Sequence, residues 1–92
     1  MIKENAYFDG NVKSLGYATA AGNATVGVME AGEYEFNTGS PEIMTVIQGE
    51  MEVLLAGATD WQTYGAGSAY DVPGNSSFKV RMKGQTSYLC QF

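Results

Sequence analysis

The chain has 92 residues, 45% hydrophobic and 16% charged, a balance that excludes disorder and suits one small domain spanning residues 1–92. Ten acidic against five basic residues give a formal charge of −5, which argues against nucleic-acid binding but leaves a small phosphate ligand open. Cys90 is the only cysteine and histidine is absent, which excludes an intrachain disulfide, a Ser-His or Cys-His nucleophile and any imidazole-ligated metal centre.

Met1-Ile2-Lys3-Glu4-Asn5 lacks the apolar stretch of a signal sequence, and no apolar run is long enough to span a bilayer. A cytoplasmic protein with no membrane partner is the expectation. Further along, glycines punctuate short alternating segments. These predict strands at Ala6–Phe8, Val12–Thr19, Ala24–Met29, Gly32–Asn37 and Ile43–Gln48. More follow at Met51–Leu55, Gln62–Tyr64, Ser68–Val72, Phe78–Met82 and Ser87–Phe92. Nothing of helical length carries an apolar stripe with caps. Gln48-Gly49-Glu50 reads as the turn of a hairpin. The pattern is all-β, a sandwich or barrel that limits exposed strand edges.

Alternation assigns faces. Met51, Val53 and Leu55 share one side of their strand, as do Phe78, Val80 and Met82. Lys79, Arg81 and Lys83 then point outward as a solvated basic stripe. Trp61 falls in a connection and suits a pocket rim or a subunit seam. Cys90, within Tyr88-Leu89-Cys90-Gln91-Phe92, reads as an inert core thiol. Tyr34 and Phe36 read either as barrel core or as a flat platform for a planar ligand.

Two stretches resemble the signatures of the cupin superfamily. Glu42-Ile43-Met44-Thr45-Val46-Ile47-Gln48-Gly49 keeps a Glu, six residues, then a Gly; Gly67-Ser68-Ala69-Tyr70-Asp71-Val72-Pro73 keeps a Gly, five residues, then a Pro. The resemblance implies a single-domain cupin, a small β-barrel of jelly-roll type, with Glu42 facing its mouth in phase with Met44 and Val46. The histidine pair that metal cupins carry would fall at Glu35 and Asn37 or at Phe36 and Thr38, and neither pair supplies imidazole. No metal or other cofactor is expected.

Across almost the whole length, the chain is similar to a narrower family. The carrying stretches are Tyr7-Phe8-x-Gly10-x-Val12-Lys13-Ser14-Leu15-Gly16, Thr25–Met29, Gly32-Glu33-Tyr34-x-Phe36, Glu42-x-Met44-x-Val46, Trp61-x-x-Tyr64-x-x-Gly67, Val72-Pro73 and Ser87–Cys90. They resemble the small pyrimidine/purine nucleoside phosphorylases of bacteria. The resemblance implies nucleosides and inorganic phosphate as substrates, and a free base and pentose 1-phosphate as products. Tested against that chemistry, Glu42 suits stabilisation of the cationic sugar, and Lys13 with Ser14 suits phosphate. Tyr34, Phe36, Met44, Phe78 and Tyr88 suit the base. A non-catalytic, ligand-sensing cupin is the alternative. A homodimer is expected, with the strands around Ala6–Thr19 as its seam.

Overall fold

Alternation of apolar and polar residues becomes ten strands in the computed structural model, which describes residues 1–92. They are β1 (Lys3–Tyr7), β2 (Val12–Thr19), β3 (Gly22–Met29), β4 (Gly32–Asn37), β5 (Glu42–Gln48), β6 (Glu50–Leu55), β7 (Gln62–Gly65), β8 (Ala69–Val72), β9 (Ser77–Met82) and β10 (Thr86–Gln91). The only helical element is a 3-10 turn at Phe8–Gly10, where the sequence pattern had continued a strand through Phe8.

The strands form two antiparallel sheets, ordered β1-β2-β3-β10-β5-β8 and β4-β9-β6-β7. The jelly-roll-like cupin expectation therefore holds as two facing sheets rather than one ladder closed into a barrel. Between them lies a single core. Val12, Met29 and Val46 enter from the larger sheet and Met51, Val53 and Val80 from the smaller, each at most 3% exposed. Burying each such side chain contributes roughly 1.5–3 kcal/mol.

Gln48-Gly49-Glu50 does not close a hairpin. β5 pairs with β10 and β8, and β6 with β9 and β7, so these residues are the corner where the chain crosses between sheets. Gly49 has φ +94° and lies so close to Thr86 that an added Cβ would stand 2.7 Å from its Oγ1. A tight glycine reversal looks the same in sequence whether the next strand pairs back or leaves the sheet.

The outward stripe on β9 is also not simply solvated. Arg81 donates to the Glu52 carboxylate at 3.1 Å and lies 3.9 Å over the Trp61 ring. Trp61 thus caps an arginine on the outside of the smaller sheet.

Candidate active site

The concave face of the larger sheet is built in rows. In register across the strands, one row runs Asn5–Ser14–Gly27–Tyr88–Val46 and the next Lys3–Gly16–Thr25–Cys90–Met44. The glycines leave room where larger neighbours lie over them. Asn5 Nδ2 donates to Ser14 Oγ at 3.3 Å, and Ser14 and Tyr88 lie side by side in the cavity wall. Burial pushes the Tyr88 phenol up to about 12, the Ser14 contact acting the other way. It remains a neutral hydroxyl at physiological pH.

Glu42 opens β5 immediately after Pro41. Its position is fixed by two loops tied together: Thr38 Oγ1 donates to the Pro73 carbonyl at 2.7 Å, and the Asn75 N–H donates to Gly39 O at 2.9 Å. The half-buried Glu42 carboxyl is held above the usual carboxylate range by burial, and a hydrogen bond from the Cys90 thiol offsets part of that rise. Cys90 is pushed up to about 12, by burial first and then by Glu42. With its pKa raised that far it stays a neutral thiol near neutral pH rather than a nucleophile.

These groups open on a cavity of about 550 Å³ between the sheets, a size typical of small-molecule sites. Glu42, Ser14, Thr25 and Tyr88 face Phe36 and Phe78 across it. Phe36 and Phe78 have centroids 5.7 Å apart at 30°. Of the positions open for the missing histidine pair, Glu35, Phe36 and Asn37 all line the cavity, whereas Thr38 is buried with its hydroxyl tied to the Pro73 and Ser76 carbonyls. No three His, Cys, Asp or Glu side chains gather into a metal-ligating cluster.

Six of the eight expected site residues line this cavity: Glu42, Met44, Phe36, Phe78, Tyr88 and Ser14. Tyr34 does not. It is 7% exposed, and its hydroxyl donates to the Glu30 carbonyl at 2.9 Å, so it belongs to the core. Lys13 does not either, because successive strand residues point to opposite faces and Ser14 takes the inner one. Lys3 escaped the sequence reading. Of the five basic residues it alone shares the strand face of Ser14, with its Cβ 3.6 Å from where a Cβ on Gly16 would lie. Its signal is the alternation Lys3, Asn5, Tyr7, masked because β1 carries no apolar residue before Ala6.

A model of the family described as pyrimidine/purine nucleoside phosphorylase matches residues 2–92. The chain belongs to this family. A pyrimidine/purine nucleoside phosphorylase of Tolumonas auensis is 54% identical over 92 residues, which cover 100% of this chain and 99% of that one. A Vibrio parahaemolyticus protein of unknown function has the same structure, with a TM-score of 0.96 and 50% identity over 99% of this chain and 97% of that chain. A cupin of the RmlC-like type from Shewanella frigidimarina aligns with a TM-score of 0.74 at 16% identity, covering 99% of this chain and 82% of that one. That likeness shows the cupin fold alone. Family membership and cavity now bear on one question, the chemistry at Glu42.

Proposed function

We propose that the protein is a nucleoside phosphorylase that cleaves purine and pyrimidine nucleosides with inorganic phosphate in the Glu42 cavity. The observation that carries this reading, beside family membership, is a carboxylate half-buried among aromatic rings in a cavity of nucleoside size. A phosphate oxygen forms a bond to the anomeric carbon as the carbon–nitrogen bond breaks. The bonding pair leaves with the base, and the proton of hydrogen phosphate ends on the base nitrogen. Positive charge builds on the sugar meanwhile, and ionised Glu42 opposes it in surroundings where solvent screens little.

Ser14 and Tyr88 supply neutral donors for phosphate or sugar oxygens, and Lys3 supplies the positive charge on their side of the sheet. Lys13, on the outer face, is not needed within one subunit. Phe36 and Phe78 offer π faces to either base class, which fits broad tolerance better than edge-reading hydrogen bonds. None of these roles calls for a metal or cofactor. Release of free base from uridine and adenosine that requires phosphate is the test; release without phosphate would make the protein a hydrolase, and binding without release a sensor.

We also propose a homodimer. Leu15, Tyr17, Val28, Ile43 and Ile47 are all between 39% and 48% exposed on the outside of the larger sheet. Register pairs Leu15 with Val26 and Val26 with Leu89, and Tyr17 with Ala24, so apolar residues cluster on this face among a few polar ones such as Thr45 and Gln91. The cluster includes the β2 half of the expected seam, and a second copy would cover it. No helix is long and apolar enough to cross a membrane, and a cytoplasmic location is part of the same proposal.

A further inference from the structure

Between β1 and β2 the chain makes a strap across the cavity mouth. Phe8, Asp9 and Gly10 have φ of 53°, 57° and 87°, three successive left-handed residues of which two carry side chains. That conformation is costly for phenylalanine and persists only where the surroundings enforce it. Here they do. The Asn11 N–H closes on the Phe8 carbonyl at 3.1 Å, and the Asn11 carbonyl accepts from the Glu30 N–H at 2.8 Å. The Glu30 carbonyl in turn accepts from the Tyr34 hydroxyl at 2.9 Å. The Phe8 ring rests 5.0 Å from the Tyr34 ring and edge-on to Phe36 at 5.5 Å and 89°.

The strain does not serve burial, because Phe8 remains 43% exposed. What it achieves is placement of a large ring in the wall of the cavity, continuous with Phe36 and Phe78. We infer that Phe8 is a substrate-binding residue whose ring forms the mouth-side wall of the nucleobase subsite, held there by the strap and by Tyr34 behind it. This rests on the phosphorylase reading above. It also gives Tyr34 a part: it positions the ring that touches the base without touching the base itself.

The experiment compares wild type with Phe8→Leu, Phe8→Ala and Phe8→Tyr. Uridine and adenosine binding is measured by calorimetry without phosphate, and KM and kcat with it. Loss of one stacking face is expected to weaken both nucleosides about tenfold in the Leu and Ala variants, leave KM for phosphate within about twofold, and be rescued by Tyr. Leu keeps the apolar volume, so it decides the matter if Ala fails to fold. A folded Leu variant that binds both nucleosides as wild type does, or a Tyr variant as weak as Leu, overturns the role of Phe8 while the phosphorylase reading stands. Wild type that neither binds nor cleaves either nucleoside overturns both.

Discussion

Tyr88 lies directly over Gly27: a Cβ added to that glycine would stand 2.7 Å from the Tyr88 hydroxyl oxygen and 2.6 Å from the Lys13 carbonyl. The two residues are register partners on β10 and β3, with Ser14 opposite Gly27 on β2. Absence of one side chain thus lets a phenol cross a whole strand to meet a serine. Gly27→Ala must displace the ring or part the strands. It is expected to destabilise the protein by about 1–3 kcal/mol, measured by denaturant unfolding, and to reduce turnover beyond what the unfolded fraction explains.

Glu42→Gln removes the charge but keeps the shape. If the carboxylate acts on the transition state, the variant loses about 10²–10³ in kcat while nucleoside binding changes little. Steady-state kinetics on both base classes checks this.

The pH dependence follows from the raised Glu42 carboxyl. If ionised Glu42 opposes the charge on the sugar, activity should rise with pH through an apparent value above the usual carboxylate range, and this limb should vanish in the residual activity of Glu42→Gln. Stability runs the other way. With the folded value above the unfolded one, the unfolded chain gives up the proton first, so stability falls as pH rises from the unfolded value through the folded one. Glu42→Gln lacks that loss, and its Tm should decline less than that of wild type across the same window.

Much of this was legible from alternation alone. Glu42, Met44 and Val46 fall on one face because a strand has period two, and so do Phe78, Val80 and Met82. What escaped was long-range or unusual backbone. Nothing local says that Gly49 sends the chain to the other sheet. A left-handed backbone is unusual for a bulky residue such as Phe8, so Phe8 read as the end of the first strand. Tyr34 and Phe36 are equal in sequence; Phe8 packs on both rings, but only Phe36 lines the cavity while Tyr34 is buried behind it. Lys13 and Ser14 are neighbours in sequence and opposites in space.

That opposition yields a kinetic contrast. Ser14→Ala and Lys3→Ala should raise KM for phosphate, whereas Lys13→Ala should leave it within about twofold if one subunit holds the site. A Lys13 effect equal to that of Lys3 would move the phosphate to an interface between subunits.

The apolar cluster on the outer sheet face predicts self-association. Light scattering should report about twice the 9.8 kDa chain mass, and Leu15→Glu with Val28→Glu should return it to one chain without unfolding it, since both side chains are exposed.

In the proposed reaction phosphate, not water, takes the sugar from the base in this cavity. Phosphorus NMR of the protein with adenosine and inorganic phosphate addresses it most directly, followed in parallel with release of adenine. One pentose 1-phosphate is expected for every adenine released, at a rate about 10²–10³ lower in Glu42→Gln. Adenine accumulating with free ribose, or no change in either signal at high protein concentration, would contradict it.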